Sequence, residues 1–233
     1  TFGPAGNGTN CYFVDDLNLP EVDPYNTQSA IALLRQHVDY GHWYDRARLT
    51  SKAVEDCQYV AAMNPTAGSF TINPRLQRHF ATFAVGLPGS TSLMQIYATF
   101  LNGHLAHFAG GLAGAVGSVG TKLIQGALGV QADATKAFRK TVANFHYEFN
   151  IRHISNVFQG LLATQPEKFP ETAKFVELWL HESERVYGDR LVSPKDLEKY
   201  KSLAAGQAKK NFPQVNVARF FSDENAEPLI FCH

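Results

Sequence analysis

The stretch Cys11-Tyr-Phe-Val-Asp-Asp-Leu-Asn-Leu-Pro-Glu-Val22 sets the organisation of this chain. Its first four residues are typical of a buried strand, and two adjacent carboxylates follow them. Pro20 prevents the strand from continuing, because proline has no backbone N–H to donate to a sheet. Asp15 and Asp16 are therefore predicted at the carboxyl end of a buried strand, which is the edge where open α/β sheets bind ligands.

A strand that ends in aspartate beside a nucleotide is how P-loop NTPases hold Mg²⁺, and we interpret this stretch as a Walker B element. Asp15 would then hold the Mg²⁺ shell, and Asp16 would polarise the attacking water. The alternative is a buried strand that ends in a solvated acidic turn. The short motif alone favours that alternative, and the polar residues later in the chain favour the nucleotide site.

The composition is that of a globular protein, and the formal net charge at pH 7 is zero. The 233 residues include 21 basic and 21 acidic side chains, so no electrostatic reason exists to expect nucleic acid or an anionic membrane as a partner. Cys11, Cys57 and Cys232 have no metal-binding or redox spacing, and a reducing compartment is the default expectation. The uncharged, glycine-rich residues 108–121 are fewer than the roughly 18 apolar residues of a spanning helix, and they predict a flexible connector.

Strand and helix patterns continue in the first part of the chain. Residues 26–40 have a helical period. Residues 42–46 and 49 flank a polar turn around residues 51–55, which predicts a hairpin or a projecting loop. Residues 58–63 predict a second buried strand, which ends at Asn64 before a proline. Asn64 could orient the attacking water through its carboxamide; alternatively, it is a strand-end cap.

Two arginines follow the second strand. Residues 74–80 predict a short helix or turn that carries Arg75 and Arg78, and residues 80–85 predict a third strand. Arginine supplies planar, permanently charged donors that stabilise negative charge on a γ-phosphate. The alternative for both arginines is a solvated basic turn. Three strands with helical crossings predict half of a parallel α/β sheet.

The pattern changes to helices after residue 86. Helical periods cover residues 93–105, 122–142, 151–162, 169–187 and 195–210, and residues 213–228 predict a linker. Residues placed to cap the helices of the chain are Asn26 or Thr27, Ser90 or Thr91, Asn150, and Ser193 before Pro194. Arg152, directly after one of these caps, is either a phosphate-binding residue or an ordinary surface residue at a helix N-terminus.

Long runs of this sequence resemble the third AAA+ module of axonemal dynein heavy chains, most closely outer-arm chains of the beta type. The runs are Tyr12-Phe-Val-Asp-Asp-Leu-Asn-Leu-Pro-Glu-Val-Asp23, residues 34–46 and residues 62–80. Residues 149–162 and 178–187 resemble the helical lid of the same module. The likeness covers nearly the whole chain, apart from residues 108–120 and the tail after residue 211.

The resemblance implies a role for each candidate residue. Asp15 and Asp16 would be the Walker B pair, and Asn64 would be the first sensor. Arg152 would be the second sensor, reaching from the lid to the nucleotide of its own module. The spacing of Arg75 and Arg78 is that of arginine fingers; they would serve the pocket of the preceding module.

The fold class implied is α/β, with the C-terminal half of a AAA+ P-loop NTPase parallel sheet followed by an all-α lid subdomain. Residues 1–86 would form the sheet part, residues 87–212 the lid and residues 213–233 a linker to the next module. The implied ligands are ATP or ADP and Mg²⁺. The implied partners are neighbouring AAA+ modules, dynein intermediate and light chains, and a microtubule bound through another region, in the cytoplasm and the axoneme of cilia or flagella.

Two departures from an active AAA+ site are visible. The sequence contains no G-x-x-x-x-G-K-[ST] loop, so we expect a piece of a longer polypeptide that is inactive alone. Asp16 stands where vigorous AAA+ ATPases use Glu, and a misplaced general base forfeits roughly 10²–10⁴-fold in rate. This predicts a slow or regulatory site. The alternatives are a nucleotide-free structural ring segment or another AAA+ remodelling ATPase, against which the dynein-like residues 39–45 argue.

Overall fold

A computed structural model describes residues 1–64, 71–107, 111–169 and 171–221, and for residues 111–118 and 166 it describes the backbone alone. The chain divides into two units, Thr1–Val85 and Gly86–His233. The first contains short strands and helices, and the second is helical. We call them the sheet unit and the helical unit.

Two parallel strands, β1 (Asn10–Val14) and β4 (Cys57–Ala61), form the centre of the sheet unit. Helix α1 (Ser29–Tyr40) and an antiparallel hairpin of β2 (His42–Asp45) and β3 (Thr50–Ala53) lie between them in the chain. A hairpin and a second strand are therefore confirmed, but the turn of the hairpin lies at residues 46–49 rather than around residues 51–55. No side chain of β4, which was predicted as a buried strand, is buried. The parallel pairing is also the one expected for half of an α/β sheet.

The start of α1 differs from the sequence prediction. Its N-cap is Gln28, which makes no side-chain capping bond, rather than Asn26 or Thr27. The reason is a preceding turn in which Asp23 Oδ1 accepts the N–H groups of Tyr25 and Thr27 at 3.0 and 2.9 Å. The Thr27 hydroxyl also donates to Asp23, and this bond is the largest cause of the lowered pKa of that carboxyl. Thr27 is thus held in the turn and cannot cap the helix.

The core of the sheet unit is small. Leu17, Ile31, Ile72 and Leu76 are buried together, the last of them in a short helix α2 (Pro74–Gln77). β1 forms where predicted, but its side chains are not buried, and Phe13 is 65% exposed. A buried parallel strand needs layers on both faces of its sheet, and within the described part of the unit the only buried apolar side chains are this cluster and Val54.

The predicted third strand is wrong. Residues 81–89 have no regular structure, and the side chains of Phe83, Val85 and Leu87 are more than four-fifths exposed. An apolar run becomes a strand only where a neighbouring strand satisfies its backbone groups. No strand in the described ranges pairs with this run.

The helical unit packs its helices around one apolar core. They are α3 (Ser90–Leu105), α4 (Gly111–Ala137), α5 (Ile151–Leu162), α6 (Thr172–Tyr187), α7 (Pro194–Asn211) and the short α8 (Ala218–Phe221). The largest fully buried side chains of this core are Phe175, Trp179, Tyr187, Tyr200 and Phe212. The helical subdomain predicted from the 3.6-residue period is confirmed, and α8 lies within the stretch predicted as a linker.

Helix α4 corrects the prediction of a flexible connector. Residues 108–110 of that stretch lie outside the described residues, but residues 111–121 belong to a helix of 27 residues. Glycine costs about 1 kcal/mol in a helix, and close packing offsets this cost further along the same helix. At Gly126 an added Cβ would lie 2.8 Å from Cη2 of Trp179, so only glycine lets α4 approach α6 this closely.

Two of the three N-caps predicted in the helical unit are observed, and one is not. Asn150 caps α5 as predicted, and Ser193 and Pro194 occupy the N-cap and first positions of α7. The N-cap of α3 is Gly89 rather than Ser90 or Thr91. Across the described ranges, no helix has the length and apolarity required to cross a membrane.

Candidate functional site

The acid pair lies in a turn directly after β1. Asp15 Oδ1 accepts the backbone N–H of Asp16 at 3.0 Å, and both side chains are exposed. Asp16 has φ +50°, in the left-handed region that aspartate adopts more readily than most residues. The turn therefore presents two carboxylates at the end of the strand, as the sequence predicts.

The end of β4 lies at the same edge of the sheet. The register pairs Val14 with Ala61, so both strands end together. The backbone continues this contact, because the N–H of Ala62 donates to the carbonyl of Val14 at 2.9 Å and that of Leu17 donates to the carbonyl of Ala62 at 3.1 Å. Asn64 thus follows β4 at the edge where the acid pair follows β1.

Asn18 joins the two strand ends and was not predicted as a site residue. Its side chain is 4% exposed, and its Nδ2 donates to the backbone carbonyl of Asn64 at 2.9 Å. A buried amide must pair its donors, and this bond spans 46 residues of sequence. The available signal is one asparagine between Leu17 and Leu19, and asparagine is too common in turns for that to predict a contact.

His37 holds β4 to the hairpin and was also not predicted. Its Nε2 lies 3.2 Å from the backbone carbonyl of Val54, which can only accept, so Nε2 carries the proton. Its Nδ1, 2.7 Å from Oη of Tyr59, therefore accepts the phenol proton. Burial is the largest cause of the raised pKa of Tyr59, which keeps this donor protonated. These contacts fix the strand that leads to Asn64.

The two predicted finger arginines lie in and just after α2. Asn73 caps this helix by accepting the N–H of Arg75 at 2.9 Å, and Leu76 anchors it with no exposed surface. Arg75 and Arg78 are both exposed. Arg78 Nη2 donates to Asp39 Oδ1 at 3.1 Å, whereas the Arg75 guanidinium has no ion pair within the part of the chain that is described.

Asp39 is a hub of charged contacts. His79 Nε2 lies 2.7 Å from Oδ1, and Arg35 Nε lies 3.6 Å from Oδ2. Partial burial is the largest influence on the pKa of Asp39 and acts to raise it. The hydrogen bonds and charges of His79 and Arg78 together outweigh burial, so the pKa lies below its usual value. The carboxylate is therefore ionised at neutral pH.

Arg152 lies in the helical unit, in the first turn of α5. Its backbone N–H donates to Asn150 Oδ1 at 3.0 Å, and its side chain is exposed. His153 completes the capping box by accepting the N–H of Asn150 on Nδ1 at 2.9 Å. A cation near a helix N-terminus is unfavourable by about 0.3–1 kcal/mol, so Arg152 does not stabilise α5 through the helix dipole. Its predicted role as second sensor stays a prediction.

The residues at the strand ends fit a magnesium ion that is shared with a phosphate ligand. Mg²⁺ is usually held by one or two carboxylates together with waters and phosphate oxygens. Asp15 has one oxygen engaged by the N–H of Asp16, and within the described residues its Oδ2 accepts no hydrogen bond. No cluster of three or more His, Cys, Asp and Glu side chains in the described ranges could hold a metal by protein ligands alone. Such a site would take its remaining ligands from waters and phosphate oxygens.

An open groove in the helical unit contains none of the predicted site residues. Its volume is about 1780 Å³, and parts of α5, α6 and the segment that leads into α8 line it. Glu182 in its wall is 8% exposed and accepts a hydrogen bond from Arg185 Nη2 at 2.6 Å. Because this buried carboxylate is already paired, the groove's size does not make it a better candidate than the strand ends.

Two family models match separate parts of the chain. A model described as "P-loop containing dynein motor region" matches residues 1–88, and one described as "AAA+ lid domain" matches residues 123–221. These matches confirm the predicted fold class, a part of a AAA+ P-loop domain followed by a helical lid.

Individual relatives match from end to end. The dynein alpha chain of the flagellar outer arm from Chlamydomonas reinhardtii is 53% identical over 232 residues, 100% of this chain and 5% of the relative. Dynein axonemal heavy chain 17 from Homo sapiens is 46% identical, and the ciliary dynein beta chain from Tripneustes gratilla is 44% identical, over the same shares. The chain therefore spans about 5% of the length of these relatives.

Proposed function

We propose that this chain, which corresponds to part of the AAA+ motor region of axonemal dynein heavy chains, is a nucleotide-binding module of a microtubule motor in cilia and flagella. In this proposal it is the third module of the motor ring. It binds ATP or ADP with Mg²⁺ and regulates a cycle whose main hydrolysis takes place at another module. Microtubules are bound by another region of the heavy chain, and intermediate and light chains bind elsewhere on it.

The observation that supports this proposal best is the meeting of the two strand ends. The Asn18 side chain joins the turn that carries Asp15 and Asp16 to the backbone of Asn64. In the proposal, Asp15 holds Mg²⁺, Asp16 orients the attacking water, and Asn64 holds that water from the neighbouring strand. The ion, when bound, would neutralise charge on the phosphates.

The helical unit carries one candidate residue, Arg152. Arg152 is exposed in the first turn of α5, where the capping box fixes the backbone and leaves the guanidinium free to reach a ligand. In the proposal it contacts the phosphates as the second sensor. Residues 87–212 act as the lid, residues 1–86 as the end of the large domain and residues 213–233 as the connection to the next module.

Asp16 makes the proposed site slow. Its carboxylate is one methylene shorter than that of the glutamate found in vigorous AAA+ ATPases, and its φ of +50° constrains where it can point. A well-placed general base contributes roughly 10²–10⁴-fold to a rate. We therefore propose that the bound nucleotide acts mainly as a regulatory ligand.

The test is nucleotide occupancy at this module in the full-length heavy chain. A photoreactive ATP analogue is bound in Mg²⁺, and the labelled peptides are mapped. Asp15→Asn and Arg152→Ala are expected to lower labelling of this module at least tenfold, whereas Glu21→Gln, at an exposed acid near Asp15, is expected to leave it unchanged. Unchanged labelling in both site variants would favour a nucleotide-free structural segment instead.

Hydrolysis is tested separately. With the main hydrolysing module disabled, the proposal predicts slow ATP turnover that Asp16→Glu accelerates. Brisk turnover at this module without any effect of Asp16→Glu contradicts the regulatory role.

A further inference from the structure

Asp39 pairs with only one of the two exposed arginines, Arg75 and Arg78, of the turn formed by α2 and the residues directly after it. Arg78 is bound to Asp39 Oδ1 at 3.1 Å, and the neighbouring His79 is bound to the same oxygen at 2.7 Å. Arg75 makes no ion pair with any residue that the structure describes. A guanidinium already neutralised by a carboxylate has less charge to give to a phosphate than one that is unpaired.

Asp39 is also well placed to set the orientation of this turn. Its side chain is 14% exposed and lies in the last turn of α1, while its two partners follow α2 directly, 39 and 40 residues later in the chain. Leu76 anchors α2 in the apolar cluster, and Asn73 caps its start. The ion pair to Asp39 is the polar contact that fixes the other end of α2, since Arg78 is its C-cap.

The opposite side of the Asp39 carboxylate faces a further cation. Arg35 Nε is buried, makes no hydrogen bond and lies 3.6 Å from Oδ2. Because both carboxylate oxygens face positive or protonatable groups, the position favours a charged aspartate over a neutral isostere. The surrounding cations thus keep the Asp39 carboxylate ionised, and the ionised carboxylate restrains Arg78.

We propose that Asp39 is a positioning residue. Its ion pair with Arg78 fixes the end of α2, so that Arg75 is the arginine presented to the nucleotide of an adjacent module. This inference rests on the proposed function, in which this turn supplies an arginine finger. Asp39 itself touches neither nucleotide nor metal. It acts through Arg78 and His79, which orient the turn that carries Arg75.

The experiment uses the full-length heavy chain and measures ATP turnover against ATP concentration together with the thermal unfolding midpoint. Misplacing a group by about 1 Å can cost about 10²-fold, so Asp39→Asn is expected to lower kcat at least tenfold. The KM for ATP and the unfolding midpoint are expected to stay close to the parent values. Asp39→Glu, which keeps the charge, should recover part of the loss.

The two arginines are expected to respond differently. Arg75→Ala should cause the larger loss of kcat, because it removes the arginine that is presented to the nucleotide, whereas the other variants only misplace it. Arg78→Ala should resemble Asp39→Asn. The variant that combines Asp39→Asn with Arg78→Ala should lose no more kcat than either single variant. Asp23→Asn is the matched control, since it makes the same substitution near the other end of α1 and should leave turnover unchanged.

These measurements distinguish the finger role of Arg75 from the positioning role of Asp39. Unchanged turnover in Arg75→Ala overturns the finger role and with it this part of the proposed function. A large loss in Arg75→Ala with no loss in Asp39→Asn overturns the positioning role alone. If Asp39→Asn lowers the unfolding midpoint, the exposed Arg78→Ala variant decides: a loss of kcat at an unchanged midpoint supports the inference. An unchanged kcat in Arg78→Ala, or a loss greater than that of Arg75→Ala, overturns it.

Discussion

The helical unit and the sheet unit are held together by different kinds of contact. In the helical unit, large side chains such as Trp179, Tyr187 and Phe212 are fully or almost fully buried in one apolar core. The cluster of the sheet unit is far smaller, and specific polar contacts of Asn18 and Asp39 connect its elements. The acid pair lies in the sheet unit. The geometry of that candidate site therefore depends on single hydrogen bonds more than on packing.

The largest effect is expected where packing dominates. Trp179→Ala should lower the free energy of unfolding of the helical unit by about 3–5 kcal/mol, because it removes a fully buried aromatic side chain beside Gly126. Urea denaturation followed by helix content measures the loss. Phe100→Ala, at a 60% exposed aromatic in the same unit, is the control and should cost no more than about 0.5 kcal/mol. Similar losses in the two variants would contradict the comparison.

The next effect tests the polar contacts of the sheet unit. Asn18→Ala removes the donor to the Asn64 carbonyl and should cost about 1–3 kcal/mol. The loss should be local, with faster amide hydrogen exchange at Leu17 and Ala62, whose backbones pair at the same edge. Asn7→Ala, at an exposed asparagine of the same unit, should leave exchange unchanged. Equal exchange in the two variants would mean that the small apolar cluster alone holds the strand ends together.

The same division explains what the sequence could predict. The helices of the helical unit follow from a local period, and the cap at Asn150 and the start of α7 at Pro194 follow from local chemistry. Likewise, a proline after each strand end located the edge that carries Asp15 and Asn64. Signals carried within a few residues were therefore sufficient for these elements.

Contacts between distant residues could not be predicted in this way. The bond from Asn18 to Asn64 and the hub at Asp39 join residues that are 46 and 39 positions apart. The same limit explains two errors: no strand among the described residues pairs with residues 80–85, and the glycine-rich start of α4 is helical. For both stretches, the prediction rested on local composition, whereas the structure depends on neighbouring elements that a single sequence does not reveal.

A smaller effect separates two helix starts within the helical unit. Asn150→Ala should cost about 1 kcal/mol, because the Asn150 side chain accepts a backbone N–H at the start of α5. Ser193→Ala is the matched control, since the Ser193 side chain makes no capping bond at the start of α7. Thermal unfolding of the two variants measures the difference. Equal costs would show that polarity at the N-cap, rather than the observed bond, stabilises these helices.

The smallest effect is a difference in pH dependence between the two units. Burial is the main cause of the lowered pKa of His153, with the charge of Arg190 adding to it and that of Glu148 opposing it. Burial also lowers the pKa of His104. Below about pH 6.5 the unfolded chain binds protons that these folded histidines do not, so the stability of the helical unit falls as pH decreases through that range.

The sheet unit should respond in a more acidic range. Because the folded pKa of Asp39 is lowered, its contribution is present above the unfolded value of about 3.9 and is lost as pH falls through the folded pKa. Between pH 7 and pH 5, hydrogen exchange corrected for its intrinsic pH dependence should therefore report weakening in the helical unit, at a pH above the range in which the Asp39 contribution is lost. His153→Gln keeps a side chain that can complete the capping box and removes one titrating group, so it should flatten the slope. A slope unchanged by this variant would assign the pH dependence to groups other than His153.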